Sequence, residues 1–295
     1  MPKSKPKLLH SAATSVTGAR LTVDETSSGL RTLYLDDNIQ SEVQVNRDGS
    51  LSMAQPLELV QIMSLLSLSW IADVEAQSVL LIGIGGGSIA RVLAALMPPA
   101  GKVHSLDLEP EVVQAAIDFF GLPNVAPRCT AVAGDGAEHM KTHCRKRSAA
   151  GYDVLILDAF TSDGLADSTQ RQSTLDDAAG CLSARGILLV NLHTGDYDDP
   201  DYYVARRVLR ALCARFGAVY SVLCGSTQNL IAVCHQGEFL EAGLWEMQIA
   251  EQLARKEVLA ACASFSLAGT MSRFDYVGGK DDPMEDEAGV GNLEQ

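Results

Sequence analysis

Short apolar runs alternate with amphipathic segments through most of the chain, and this pattern predicts an α/β fold. Residues 79–82 (Val-Leu-Leu-Ile) form an apolar run bounded by polar and glycine residues, as expected for a strand buried on both faces of a parallel sheet. Four further runs follow, at residues 102–109, 128–133, 152–158 and 186–191. Segments with helical periodicity separate them, so we expect five parallel strands joined by helices.

The pattern changes at both ends of this series. Residues 218–224 and 229–235 predict an antiparallel hairpin, and residues 240–262 predict a last helix. Near the start, three segments alternate apolar and polar positions, which indicates a small antiparallel β region. The resulting division is a disordered basic tail (1–18), the small β region (19–55), a Rossmann-like catalytic domain (56–265) and an irregular acidic tail (266–295).

A glycine-rich turn follows the strand at residues 79–82. Gly83, Gly85, Gly86 and Gly87 have no Cβ, so the backbone N–H groups can approach a nucleotide-like ligand closely. Ser88 is placed to cap the helix that follows. The four glycines are therefore candidate cofactor-binding residues.

Polar side chains stand at the carboxyl ends of four successive strands, where open α/β sheets bind their ligands. They are Asp107, Asp135, Asp158 and Asn191. Asp107 lies 20 residues after Gly87, where an acid accepts hydrogen bonds from ribose hydroxyls. The alternative is a surface carboxylate that favours the dipole of the next helix.

The neighbours of Asp107 and the other two acids have candidate roles as well. Leu108 joins the candidate cofactor-binding set, and Glu109 either shares the ribose role or caps the next helix. Asp135 is placed to accept from an adenine amino group, or to cap a helix. Asp158 stands near the reacting group, where burial would raise its pKa and suit it to accept a proton from an amine.

The amino-acid composition indicates which classes of binding partner to expect. The net charge of −14 argues against a general nucleic-acid-binding face and suits a cationic acceptor, either a polyamine or a basic protein segment. No apolar run reaches the roughly 18 residues of a membrane span, and residues 1–10 lack the pattern of a secretory signal. We therefore expect a cytoplasmic protein without a membrane partner.

The metal-binding residue types have no convincing pattern. The seven cysteines are scattered, with no CxxC pair, and are expected to be reduced and packed. His139 and His143 are spaced as a metal pair on a helix would be, but a polar helix surface is the better interpretation, because no further ligand spacing supports a site. No metal is expected.

Several motifs together carry a family resemblance. In order they are Gln40-Ser41, the Leu-Ile-Gly-Ile-Gly-Gly-Gly-Ser run ending at Ser88, Leu-Asp-Leu-Glu-Pro-Glu-Val-Val ending at Val113, Gly-Asp-Gly ending at Gly136, and Tyr-Asp-Val-Leu-Ile-Leu-Asp-Ala-Phe ending at Phe160. This set resembles the spermidine synthase-like family of class I S-adenosylmethionine-dependent transferases, which includes aminopropyltransferases and related methyltransferases.

The resemblance implies a fold and a set of contacts. The fold is a Rossmann-like seven-stranded class I methyltransferase sheet with a C-terminal antiparallel hairpin, preceded by a small N-terminal antiparallel β region. The implied ligand is S-adenosylmethionine or its decarboxylated form, and homodimers or tetramers are implied. In this family Gln40 would contact the methionine-derived part, Gly85 would lie against it, Asp107 would hold the ribose, Asp135 with Gly136 would bind the adenine end, and Asp158 would face the acceptor.

The sequence also departs from true spermidine synthases. Their tetrad places two acids three residues apart, whereas Asp158 and Asp163 are five apart here. Their Tyr-His-Glu segment before the glycine turn is replaced by Pro-Leu-Glu-Leu-Val-Gln-Ile-Met at residues 56–63. Ser88 stands where aminopropyltransferases usually carry an Asp, which lowers the negative charge and favours a donor that still has its carboxylate.

Three hypotheses follow. The first is methyl transfer to an amine or other nucleophile, with Asp158 orienting or deprotonating the acceptor. The second is aminopropyl transfer to a polyamine, with Asp158 and Asp163 as catalytic acids, and the third is a non-catalytic interaction module. The departures favour the first. Residues 195–203, rich in acids and tyrosines, predict either an acidic lid or a helix cap on the acceptor side, close to Asn191 and His193.

Overall fold

The computed structural model describes residues 5–72, 77–122, 127–144, 151–161, 164–165, 170–196 and 198–284. Within these residues the chain forms a small antiparallel sheet followed by a large mixed sheet with helices on both faces. The Rossmann-like fold expected from the sequence is therefore confirmed, with differences at both ends of the chain. No helix among the described residues is long and apolar enough to cross a membrane.

The small sheet is an antiparallel meander of four neighbouring strands. Its strands are β1 (Lys7–Ala13), β2 (Arg20–Glu25), β3 (Leu30–Leu35) and β4 (Asn38–Gln44). The expectation that residues 1–18 form a disordered tail is wrong for β1. Backbone pairing with β2 holds β1 in place although most of its side chains are exposed, so it lacks the apolar alternation by which sequence patterns reveal strands.

The large sheet contains five parallel strands and three antiparallel ones, in the spatial order β14–β12–β13–β11–β8–β5–β6–β7. The parallel strands are β5 (Ser78–Ile82), β6 (Lys102–Asp107), β7 (Cys129–Ala133), β8 (Tyr152–Leu157) and β11 (Leu182–His193). The antiparallel strands are β12 (Ala218–Leu223), β13 (Asn229–His235) and β14 (Phe274–Gly278). Between β8 and β11, β9 (Phe160–Thr161) and β10 (Gly164–Leu165) form a separate two-residue pair.

The eighth strand corrects the expectation of an irregular acidic tail at 266–295. Strand β14 pairs with β12, and a short helix, Leu267–Met271, precedes it. Phe274 at the start of β14 is buried and stacks on Tyr220, and Tyr276 contacts the same ring edge-on, so aromatic contacts attach this segment to the large sheet. Residues 285–295 lie outside the described residues, and the other domain boundaries remain predictions.

Helices cover both faces of the large sheet. On one face lie α1 (Glu58–Trp70), α2 (Ser88–Leu96) and α3 (Pro110–Phe119), which share a core with α7 (Ala242–Leu253) and α8 (Lys256–Ala261). On the other lie α4 (Gly136–His139), continued by a π-helical turn at Met140–Cys144, α5 (Gln172–Cys181) and α6 (Pro200–Cys213). The helix Leu267–Met271 is α9. The single last helix expected at 240–262 is thus two helices, α7 and α8.

A buried glutamate attaches the small sheet to the large one. Glu109 precedes α3, and its carboxylate accepts hydrogen bonds from Val16 N (3.0 Å), Thr17 N (2.7 Å) and the Thr17 hydroxyl (2.6 Å) in the β1–β2 loop. Burial raises the pKa of Glu109, but the hydrogen bonds from Thr17 and Val16 outweigh burial, so the pKa is lowered. Glu109 therefore neither faces a ligand nor caps α3 with its side chain.

Replacing this carboxylate tests the attachment. We expect Glu109→Gln to lower the free energy of unfolding at pH 7 by about 1–3 kcal/mol, because three donors lose a charged acceptor. Since folding lowers the pKa of Glu109 below its ordinary value of 4.5, this stabilisation is present above pH 4.5 and is lost as the pH falls through the lowered value. Urea unfolding at pH 7 and at pH 4 measures both effects.

The matched control is Glu111→Gln. Glu111 also accepts from the β1–β2 loop, at Ser15, but its bonds are exposed, so its loss at pH 7 should be clearly smaller. Equal losses for the two variants would contradict the attachment by Glu109.

Candidate functional site

The glycine turn between β5 and α2 approaches the end of β8. Gly83 has φ +89°, and a Cβ there would collide with the backbone carbonyl of Asp158. Gly85 has φ +52°, and a Cβ there would come within 3.1 Å of the Gln40 carbonyl oxygen. The turn therefore lies against both the small sheet and β8, and only residues without a side chain fit these positions.

The expected cap by Ser88 is wrong. The N-cap of α2 is Gly87, in the left-handed conformation, so no side chain caps this helix. Ser88 is the first residue of the helix, and its buried hydroxyl lies 3.1 Å from the buried hydroxyl of Ser41 on β4. This uncharged pair joins α2 to the small sheet.

Asp107, at the end of β6, fixes the glycine turn through its carboxylate. Oδ2 accepts from Ile84 N (2.9 Å) and Gly85 N (3.3 Å), and Oδ1 accepts from Glu109 N (3.1 Å). Burial raises the pKa of Asp107, and the lowering by these backbone hydrogen bonds does not cancel that effect. Because a carboxylate oxygen can accept two hydrogen bonds, Oδ1 retains capacity for a ligand hydroxyl. Leu108 beside it is 40% exposed.

Asp135 has the helix-cap role that was one of its two expected roles. Its Oδ1 accepts from Ala137 N (2.8 Å) and Glu138 N (3.2 Å) at the start of α4. Gly136 packs so closely on Ile82 that a Cβ would collide with that side chain. Asp135 lines a second cavity, of about 530 Å³, beside β6 and β7, and its proposed adenine contact remains a prediction.

The cavity that Asp158 lines has a volume of about 510 Å³ and opens where β4, α1, the glycine turn and the ends of β8 and β11 meet. We call it the main cavity because most of the predicted site residues that line a cavity lie there. Of the residues predicted from sequence, Gln40, Gly85 and Asp158 line it together, as do Asn191 and His193. Asp107 does not line it, but its carboxylate bonds the backbone amides of Ile84 and Gly85, which do. Asp163 and Tyr197 lie outside the described residues.

Sequence reasoning missed several polar residues of this cavity. They include Asn38, Glu58, Thr227 and Asn229. Asn229 could have been found, because it begins a strand that pairs antiparallel with β11 and therefore stands at the edge where the parallel strands end. Glu58 looked like part of a helix face, since nothing local marks it as facing a cavity.

Two asparagines orient the carboxyl group of Asp158. Asn229 Nδ2 donates to Asn191 Oδ1 (3.0 Å), and Asn191 Nδ2 donates to Asp158 Oδ1 (2.8 Å). Desolvation by burial raises the pKa of Asp158 to about 7. The nearby charge of Asp107 also raises this pKa, and the hydrogen bond from Asn191 partly lowers it. The side chain keeps some exposed surface towards the cavity. A carboxyl that changes charge near neutral pH can hold an amine or accept its proton.

Two further pairs of interacting side chains include residues of the cavity wall. Arg273 Nη2 donates to Glu58 (2.8 Å), and Ser226 donates to the same carboxylate through its backbone and hydroxyl. His193 Nδ1 lies 2.7 Å from Asp201 Oδ2. No group of three potential metal ligands occurs among the described residues.

The sheet order, the glycine turn and the carboxylates at the strand ends define a Rossmann-like fold of the class I type with an added N-terminal sheet. The spermine/spermidine synthase domain matches residues 62–223, more than half of the chain. The protein belongs to this family.

Curated relatives share a limited part of the sequence. The polyamine aminopropyltransferase of Neisseria meningitidis serogroup B is 29% identical over 170 residues, which cover 57% of this chain and 59% of the relative. The eEF1A lysine and N-terminal methyltransferase of Danio rerio is 30% identical over 121 residues, 39% of this chain and 17% of the relative. The chain thus spans about three fifths of the length of the first curated relatives that it matches.

Solved structures support the fold. A probable spermidine synthase from Corynebacterium glutamicum superposes with a TM-score of 0.68 at 15% identity, covering 99% of both chains. Human methyltransferase-like protein 13 in complex with SAH superposes with a TM-score of 0.54 at 18% identity, covering 79% of this chain and 94% of the other. At these identities the likeness extends to the fold alone.

The raised pKa of Asp158 has a consequence for stability. Between the ordinary value of 3.8 and about 7, the folded protein binds a proton that the unfolded chain does not, so Asp158 lowers stability progressively as the pH rises through this window. We expect Asp158→Asn to be more stable than the wild type at pH 8 by about 2 kcal/mol. This figure is smaller than the free energy that corresponds to the full pKa shift, because the carboxyl group faces the cavity and is partly solvated there.

Urea unfolding at pH 8 and pH 4 measures this difference, which should disappear at pH 4. Asp153→Asn is the control, because Asp153 is the second residue of the same strand and accepts hydrogen bonds from Ser78 N and Ser183 that the amide would weaken. An Asp158→Asn variant that is less stable at pH 8 would contradict the assigned pKa.

Proposed function

We propose that this protein transfers an alkyl group from an S-adenosyl donor to an amine acceptor. The observation that carries the proposal is the position of Asp158. Its carboxyl group is held by Asn191 in a cavity that the glycine turn also lines, at Ile84 and Gly85. A proton-accepting group is therefore next to a ligand-binding turn, as amine alkylation requires.

Two features of the chain fit an S-adenosyl donor. Gly85 of the turn lines the cavity without a side chain, so a ligand can approach its backbone, and Asp107 keeps an oxygen lone pair available for a ribose hydroxyl. When bound, such a donor supplies an electrophilic carbon next to a positive sulfur. Gln40, Gly85 and Asp107 would hold the donor, and Asp135 with Gly136 would receive its adenine end.

The chain's own residues would orient the acceptor. Above pH 7 the Asp158 carboxylate attracts a cationic amine, and the Asn229–Asn191 chain fixes the direction of its oxygens. Glu58 and Asp201 add two more carboxylates to the cavity wall, in keeping with the net charge of −14. A small amine-bearing acceptor is thus the favoured class.

Aminopropyl transfer to a polyamine is the favoured reaction. The family match and the polyamine aminopropyltransferases of Neisseria meningitidis and Chromobacterium violaceum support it. The sequence alone favoured methyl transfer instead. The relatives support aminopropyl transfer better than methyl transfer. The donor would then be decarboxylated S-adenosylmethionine.

Methyl transfer from intact S-adenosylmethionine is the second candidate. It is favoured by Ser88, whose hydroxyl pairs with Ser41 at a position where aminopropyltransferases usually carry an acid. The partial match to eEF1A lysine and N-terminal methyltransferases is in line with it. Cytoplasmic location, a homodimer or tetramer, and the absence of a metal, nucleic-acid or membrane partner remain predictions.

Calorimetric titration with each donor, followed by activity assays with diamines, tests the proposal. Binding of decarboxylated S-adenosylmethionine at least tenfold more tightly than the intact form, with alkylated diamine as product, would support aminopropyl transfer. The opposite preference would make methyl transfer the leading candidate. Binding of neither donor would overturn the proposal and leave the interaction module.

We expect Asp107→Asn to weaken binding of the preferred donor by at least about tenfold, because a charged acceptor for both the turn amides and the ribose is lost. Asp118→Asn is the control, since Asp118 is exposed on α3, lines neither cavity and accepts a hydrogen bond from Gln114. Calorimetry on both variants measures the effect. Unchanged affinity in Asp107→Asn would refute the ribose role.

A further inference from the structure

A histidine–carboxylate pair lies on the same cavity as Asp158, and the proposed reaction has so far given it no role. His193 Nδ1 is 2.7 Å from Asp201 Oδ2, and both residues line the main cavity. Their side chains are 35% and 37% exposed, so the pair contributes little to stability through its charge. Its placement on the cavity wall suggests a role in chemistry instead.

Two rigid elements hold this pair in position. His193 is the last residue of β11, two residues after Asn191 on the same strand. Asp201 is in the first turn of α6, where its backbone N donates to the side chain of the N-cap residue Asp199 (2.9 Å). A carboxylate in the first turn is also favoured by the helix dipole. The pair is therefore built in advance of ligand binding.

The hydrogen bond determines which nitrogen is available. Asp201 is an acceptor, so Nδ1 of His193 carries the proton and Nε2 of the neutral ring has a free lone pair. An imidazole oriented by a carboxylate in this way is the usual form of a general base.

We propose that His193 is the group that removes the proton from the acceptor amine, and that Asp201 is the positioning residue for its ring. This inference rests on the proposed transferase function and assigns amine binding and proton removal to different residues. Asp158 binds and orients the amine, and His193 takes its proton.

The proton and electron balance is complete without any further reactant. Nε2 of His193 accepts a proton from the ammonium form of the acceptor, and Asp201 stabilises the imidazolium that forms. The neutral amine attacks the donor carbon, so the new C–N bond forms as the C–S bond breaks. The electron pair of the C–S bond stays on sulfur, whose positive charge is removed. The imidazolium then releases its proton to water.

Charge and exposure favour His193 over Asp158 for this step. A proton taken by Asp158 would remove the negative charge that holds the amine, whereas a proton taken by His193 leaves that charge in place. A base must also return its proton to solvent in each turnover. His193 is partly exposed, whereas Asp158 is bonded to Asn191 in the interior of the cavity. The third carboxylate of the wall, Glu58, is already paired with Arg273.

Kinetics of the full chain with its preferred donor and amine test the inference. We expect His193→Ala to lower kcat by at least about 100-fold, since general bases contribute that much, with less than a threefold change in KM for the amine. Added imidazole should restore a measurable part of kcat. Asp201→Asn should lower kcat by about tenfold, because the neutral amide still accepts from Nδ1 but stabilises the imidazolium less.

Two controls separate chemistry from folding. His193→Gln can keep a hydrogen bond to Asp201 yet has no basic nitrogen, so it should lose as much kcat as His193→Ala and gain nothing from imidazole. His10→Ala, on β1 against Phe119 and outside the cavity, should leave kcat unchanged with or without imidazole. Donor affinity measured by calorimetry should be the same in all three variants.

The outcomes distinguish this inference from the function on which it rests. A wild type that binds no donor overturns both. An active wild type with kcat retained within twofold in His193→Ala, or lost without any rescue by imidazole, overturns the role of His193 alone. In that case Asp158 remains as the proton acceptor, and transfer to the amine stands.

Discussion

The close contact between the glycine turn and the end of β8 is the constraint on which the site depends. Gly83 N donates to the Leu106 carbonyl and Asp158 N donates to the Ile82 carbonyl, each at 2.8 Å. These bonds join the ends of β5, β6 and β8 immediately where Asp107 and Asp158 project. A side chain at Gly83 would collide with the backbone of Asp158. The distance between the glycine turn and the carboxyl group of Asp158 is therefore set by the packing of the sheet strands.

This arrangement conflicts with stability, because it keeps two acids close together in a desolvated site. Burial raises the pKa of both Asp107 and Asp158, and each is stabilised by donated hydrogen bonds rather than by a cationic side chain. Asn191 can donate to Asp158 without neutralising it. An arginine there would lower the pKa of Asp158 and compete for the place of a cationic acceptor. In the proposed function, these unneutralised carboxyl groups would hold a cationic acceptor, and keeping them buried lowers the stability of the folded state.

The sequence revealed those parts of the fold and site that depend on local pattern. The strand before Gly83, the glycine turn, Asp107 and Asp158 follow from periodicity and from the topology of parallel sheets. It could not reveal β1, which is held by backbone pairing and not by apolar side chains, or Glu58, which faces the cavity only because of tertiary packing. Glu109 was assigned to the ligand or to a cap, yet it binds the β1–β2 loop, a contact between positions more than 90 residues apart.

The choice between an aminopropyl and a methyl donor depends on few residues, because the sheet and turn would serve both. The small sheet contributes Gln40 to the cavity wall, and Ser41 pairs with Ser88 at the start of α2. Glu109 attaches this sheet to the α3 side of the large sheet, so the wall that would face the non-adenosyl end of the donor is positioned by a contact outside the cavity. In the proposed function, donor selection would therefore depend on how the two sheets are joined, whereas the His193–Asp201 pair and Asp158, which would act on the acceptor, belong to the large sheet and its helices. Acceptor chemistry and donor choice can then vary independently in this fold.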